Sequence, residues 1–217
     1  MKFALVRLTA ALMVASIFLS GCATASYNIQ ERFGIEKRDI LVDRVLDVSK
    51  SQTEAKEEFA DALEAFRAVI DVDAGELETL YDDLNRAYKR ADAEADTVRS
   101  RIKSVKRVSR DLFREWEGEL DEYSDPALRR ASERQLRETQ DRYDVLVSKM
   151  DNASTSMDPV LSVFKDRVLY LKHNLNARAI ASLGTETADL ESDVARLIAE
   201  MEQSIAAANA FIAEMKA

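Results

Sequence analysis

Few side chains in this 217-residue chain could do covalent or metal chemistry, because it holds one cysteine, Cys22, and one histidine, His173. Zinc and transition-metal centres draw on several His, Cys or clustered carboxylate ligands. The composition therefore points to no metal and no cofactor. His173 stands in Lys172-His173-Asn174-Leu175-Asn176-Ala177-Arg178. His173, Asn174, Asn176 and Arg178 form a polar group that is a candidate contact for a polyanion or a partner. A lone helical histidine is more often packed or solvated than catalytic. The Asp and Glu residues follow a surface pattern in which no pair stands apart as acid and base. No catalytic residue emerges, and the expectation is a protein that is not an enzyme. A second candidate is the run Arg99, Arg101, Lys103, Lys106, Arg107 and Arg110, which has no acidic residue among its members. Such a run binds lipid phosphates or another polyanion, or else forms a solvated, salt-bridged face.

Cys22 sits at the end of a distinctive segment. Lys2 and Arg7 give a positive start, and an apolar run follows from Leu8 to Leu19. That run is about 12 residues long, where a membrane-spanning helix needs roughly 20. A positive start, a short apolar run and a small-residue end make a secretory signal. The closing residues Leu19-Ser20-Gly21-Cys22 resemble the lipobox of bacterial lipoproteins at every position. The resemblance implies cleavage before Cys22, a diacylglyceryl thioether on its sulfur and an acyl group on the new N-terminus. Acyl chains hold at about 0.8 kcal/mol per buried methylene, so two or more give stable anchoring. Residue 23 is Ala rather than Asp, and in such lipoproteins of Gram-negative bacteria an Asp there commonly marks inner-membrane retention. The resemblance thus implies an outer-membrane anchor with the body in the periplasm.

Residues 1–21 carry Lys2 and Arg7 and no acid, so their removal shifts the net charge from -9 to -11. An acidic body argues against a nucleic-acid partner, which needs basic surface. With Cys22 acylated no disulfide is available, and stability must come from burial. Five glycines and two prolines are few for this length, and 33% of residues are charged. Those proportions belong to long helices.

Residues 22–35 show no sustained period and are expected to be a lipidated tether, followed by a helical domain over 36–217. Leu41, Val45, Val48, Gln52, Ala55, Phe59, Ala62, Phe66 and Val69 alternate by four and three, which is a coiled-coil seam. The pattern stops at Asp71-Val72-Asp73-Ala74-Gly75. It resumes from Leu77 through Leu84, Ala91, Val98, Val105 and Trp116 to Leu120. Folded back about Asp73, Leu41 faces Val105 and Val48 faces Val98. Asp39, Asp43 and Asp47 then face Arg107, Lys103 and Arg99, and opposite charges beside a seam set orientation. This ladder leaves Lys106 and Arg110 without an acid, which makes them the run's candidate contacts for a polyanion or partner.

Ser124-Asp125-Pro126 is a helix start, with a capping side chain before proline at the first helical position. The third seam runs from Leu128 and Ser132 through Thr139, Tyr143, Leu146, Met150 and Met157, and pairs Trp116 with Ser132. Its polar start implies that a further helix covers Phe113 and Trp116. Pro159 is expected to kink the chain while the seam continues through Leu175 to Leu183. A reversal near Gly184 leads into a last seam of Leu190, Val194, Leu197, Met201, Ile205, Ala208, Ile212 and Met215. The expected fold is all-α, an elongated antiparallel bundle of about four long helices with coiled-coil packing. Five helices, with Pro159 a reversal, is the alternative.

Pro159 to Leu183, with Glu36-Lys37-Arg38-Asp39-Ile40-Leu41-Val42-Asp43-Arg44-Val45 and Ser132-Glu133-Arg134-Gln135-Leu136, resembles a family of bacterial lipoproteins, domain of unknown function 2959. The resemblance covers most of the mature chain and implies no known activity. A DNA-repair ATPase role attached to some members does not fit, because no Gly-x-x-x-x-Gly-Lys-Ser/Thr loop is present to cradle phosphates. Three functions follow. The first is a structural or interaction lipoprotein with a periplasmic protein partner or a second copy of itself. The second is a membrane-surface module that uses its basic helical face on lipid, and the third is an enzyme built around His173 and Arg178.

Overall fold

A computed structural model of the chain describes residues 37–71, 77–184 and 187–216, apart from the side chains of residues 177 and 178. The signal segment, Cys22 and the expected tether lie outside the described residues. The chain divides into two compact units, Met1–Ile40 and Leu41–Ala217. The described part of the first unit is Lys37–Ile40, the first turn of helix α1.

Five α-helices make up the described structure, in agreement with the all-α expectation. They are α1 (Lys37–Ile70), α2 (Leu77–Glu119), α3 (Pro126–His173), α4 (Ala177–Gly184) and α5 (Thr187–Met215), with a 3-10 turn at Leu120–Glu122. The long helices form because apolar residues recur every three or four positions over many turns, with scarcely a glycine to interrupt them. At 1.5 Å per residue the 43 residues of α2 span about 64 Å. α3 starts where Asp125 accepts a hydrogen bond from the Ala127 amide at 2.7 Å, with Pro126 at the first helical position.

Within the second unit α3 packs along both α2 and α5. On its other flanks α1 is tied to α2 by Glu58–Arg90 at 2.8 Å and by the Asp47 carbonyl accepting from Arg101 at 2.8 Å, and to α5 by Lys56–Glu202 at 3.2 Å and Arg67–Glu191 at 2.6 Å. Partner numbers rise on one helix as they fall on the other, so each of these neighbours is antiparallel. The four long helices close on one core. Its seam on α1 is as the spacing predicts, with every residue from Leu41 to Val69 in the 4-3 alternation buried, Gln52 included.

Three expectations need correction. Pro159 lies inside a continuous α3, which excludes the alternative of a reversal there. It is exposed, so the Thr155 carbonyl that loses its partner faces the wet side of the helix and the break costs less than it would inside. The helix expected to continue to a reversal near Gly184 is interrupted earlier, at Asn174–Asn176, and the short α4 is added before α5. In α5 the core takes Ser204 and Phe211, while Ile205 and Ile212 are half-buried. A strict four-three alternation from Leu190 requires that choice, whatever the polarity of Ser204.

The third correction concerns the α2–α3 turn. Arg142 of α3 meets Glu214, next to the end of α5, at 3.2 Å, so the stretch of α3 nearer the turn runs past α5. Phe113 is half-buried and packs edge-on against Tyr143, with ring centroids 5.3 Å apart. Trp116 Nε1 donates to Ser132 Oγ at 2.8 Å, the pairing that the seam predicts. Leu128, expected in the seam, is 57% exposed.

Candidate functional site

The basic run lies on the middle and later turns of α2, where Ile102, Val105 and Ser109 face the core. A helix turns 100° per residue, so the cations between those residues point in different directions. Three of them are used in packing the bundle. Arg99 reaches Asp96 at 2.7 Å on its own helix and Asp158 of α3 at 2.5 Å. Arg101 points the other way and donates to the Asp47 carbonyl of α1 at 2.8 Å. Lys106 donates to both carboxylate oxygens of Asp151, each at 2.7 Å.

Lys106 is therefore not the free cation that the sequence predicts, because the acid it lacks on α1 is supplied by α3. The expected Asp ladder is also absent for the residues of the second unit. Asp47 pairs with Arg44 at 3.3 Å within α1, Arg99 turns to α3, and no ion pair joins Asp43 to Lys103. Own-helix partners three residues away compete with interhelical ones at little cost in side-chain order.

Arg110 remains as expected, exposed and without an ion pair among the described residues. Lys103 and Arg107 share that state. These three residues stand at i, i+4 and i+7, which places them in one row on the side of α2 turned away from Arg101. Arg130, Arg134 and Arg137 repeat the spacing on α3, nearer the turn, and are likewise exposed without an ion pair. Arg129 is engaged by Asp121 at 2.9 Å and Glu133 at 3.4 Å. Periodicity places all of these residues on a helix, but it does not reveal which cations find partners on α3.

The polar group around His173 is a chain-reversal device. Asn174 Nδ2 donates to the Tyr170 carbonyl at 3.0 Å, and the Asn174 amide donates to the Leu171 carbonyl at 3.1 Å, which closes α3. Asn176 Oδ1 accepts from the Ala179 amide at 3.1 Å, as an N-cap does for α4. His173 is exposed in the last turn of α3. Arg178 lies in α4, with its side chain outside the described residues. The capping bonds use the two asparagines on backbone, so among the described side chains these residues serve the helix ends.

Surface recesses among the described residues include two beside α5. One lies between α1 and α5 beside Leu63, Arg67 and Val194. The other lies between α3 and α5, where Lys149 donates to Gln203 at 3.0 Å and Ser156 donates to Glu200. Among the described residues no group of three His, Cys, Asp or Glu is placed to hold a metal, and no helix is long and apolar enough to cross a membrane.

The shifted titrations follow burial. Tyr143 is raised chiefly by desolvation, with Asp144 and Asp151 adding to it and the Ser109 hydrogen bond and Arg110 opposing. Glu94 is raised by burial and then by Glu54, against the pull of Arg101. Two core residues keep polar atoms without a partner, the Gln52 amide and the Ser204 hydroxyl.

No curated protein and no solved structure matches the chain. The model of one family, described as Protein of unknown function (DUF2959), matches residues 26–215. Because that match takes in nearly all of the helical body, the chain belongs to the DUF2959 family.

Proposed function

We propose that this protein is an acyl-anchored structural or protein-interaction module without a catalytic centre, held by Cys22 at the outer membrane and facing the periplasm. The observation that carries the reading is Leu19-Ser20-Gly21-Cys22 behind a short apolar segment with a positive start. A lipid-modified thiol is the use of a single cysteine that this setting favours. Ala23 in place of Asp supports the outer membrane as the destination. The helical body supports a non-catalytic role, because the polar residues that stand out around His173 and at Lys106 serve capping and packing. Asn174 and Asn176 close and open helices, and Lys106 bridges α2 and α3.

Sucrose-gradient separation of cell envelopes tests the location. The mature protein is expected with outer-membrane markers, and recovery with inner-membrane markers would refute that placement. Crosslinking of the acylated protein in intact cells tests the interaction role. The expected product is a discrete adduct with a periplasmic protein or a second copy, and a monomer throughout would remove that role.

A further inference from the structure

Cations on a helix surface ordinarily find acids, and in a chain of net charge -9 acids are in excess. Lys103, Arg107 and Arg110 nevertheless stand exposed, in one row, with no carboxylate within 4.0 Å among the described residues. The nearby acids are committed elsewhere or held apart. Asp151 is taken by Lys106 at 2.7 Å, Asp96 by Arg99 at 2.7 Å, and Asp111 sits 3.8 Å from Arg114. The seven helical steps from Lys103 to Arg110 carry the row over about 10 Å, with successive side chains about 5 to 6 Å apart. Arg130, Arg134 and Arg137 on α3 make a second row of the same spacing, so the α2–α3 hairpin bears two rows of unpaired cations.

We propose that these two rows are a contact surface for an anionic lipid bilayer. A row of cations along a straight helix meets many phosphates at once only if the phosphates are themselves arrayed on a surface. A small phosphate ligand would instead need a concavity, and neither recess described above includes any of these six residues. Opposite charge brings the hairpin to the bilayer while the acidic remainder of the protein is repelled from it, which fixes the side that faces lipid. The contact goes beyond the anchor and does not depend on it. Acylation would supply proximity and thereby raise the effective concentration of the surface.

The test uses the mature chain carrying Cys22→Ser, so that lipidation plays no part and failure of the anchor reading leaves this result untouched. Sedimentation with vesicles of phosphatidylethanolamine and phosphatidylglycerol is expected to pull the protein down at low salt and to release it as salt rises. Vesicles of phosphatidylcholine alone are expected to leave it in solution. Lys103→Gln, Arg107→Gln and Arg110→Gln should each weaken binding about fivefold, and the triple variant about a hundredfold. A control triple of Lys50→Gln, Lys165→Gln and Lys172→Gln, which changes net charge equally at other exposed positions, should bind as the parent does. Circular dichroism melts establish that both triples fold. Absence of binding to anionic vesicles at low salt overturns the proposal, as does equal loss in the two triples. Complete displacement by inorganic phosphate at the vesicle-phosphate concentration would also overturn it, in favour of a small-anion site.

Discussion

Lys106 Nζ sits 2.7 Å from both carboxylate oxygens of Asp151, across the groove between α2 and α3. That contact decides which part of the basic run is free. It draws Lys106 inward and leaves Lys103, Arg107 and Arg110 as the outer row.

Because both partners are partly exposed, Lys106→Ala or Asp151→Ala is expected to cost little. The coupling energy in a double-mutant cycle should be about 0.2 to 1 kcal/mol. Urea unfolding of the four proteins measures it. A coupling of zero would return Lys106 to the free cations.

Gln52 is fully buried, and neither of its amide atoms has a hydrogen-bond partner. A buried polar group left unsatisfied costs about 1 to 3 kcal/mol, so Gln52→Leu should raise the unfolding free energy by an amount in that range. A loss of stability in urea would show that the amide is satisfied in solution.

Glu94 gives a pH-dependent prediction. Its folded carboxyl is held above the ordinary range by burial first and by Glu54 next. A carboxyl raised in this way binds its proton more tightly in the folded state, so its contribution is present in acid and is lost as pH rises through that range. Glu94→Gln should therefore raise the melting temperature slightly at neutral pH, and the gain should vanish at acid pH. Thermal melts at both conditions check the sign. A gain of equal size in acid would place the effect in packing rather than charge.

Asn176 accepts from the Ala179 amide, and capping residues of this kind are worth about 0.5 to 2 kcal/mol. Asn176→Ala should speed hydrogen exchange in the eight residues of α4 before it affects α2 or α3. Uniform acceleration across all helices would contradict a local cap.

Much of this fold is legible in the residue spacing, because a 4-3 alternation of apolar residues leaves few ways to bury the stripe. The α1 seam is buried as read, including its polar member Gln52, and Asp125-Pro126 starts α3. The break at Asn174–Asn176 is missed for a physical reason. Apolar Leu171, Ala179 and Leu183 keep a helical period across it, and only the Asn pair signals caps. Ser204 is passed over for the more apolar Ile205, although the strict alternation through Leu197 and Met201 selects Ser204.

The candidate site is less legible than the core. A cation can pair with its own helix, with either neighbouring helix, or with nothing, at similar free energies. Arg99 pairs with Asp158 rather than Asp47, and Lys106 is paired where the spacing left it free. Only the packed arrangement distinguishes those outcomes.

The central claim is that Cys22 anchors the protein through lipid, and metabolic labelling with a traceable fatty acid tests it most directly. The parent protein should carry label in the mature band, and Cys22→Ser should carry none while persisting as an unprocessed or soluble species. Label retained on the Cys22→Ser protein, or absent from the parent, would contradict the anchor.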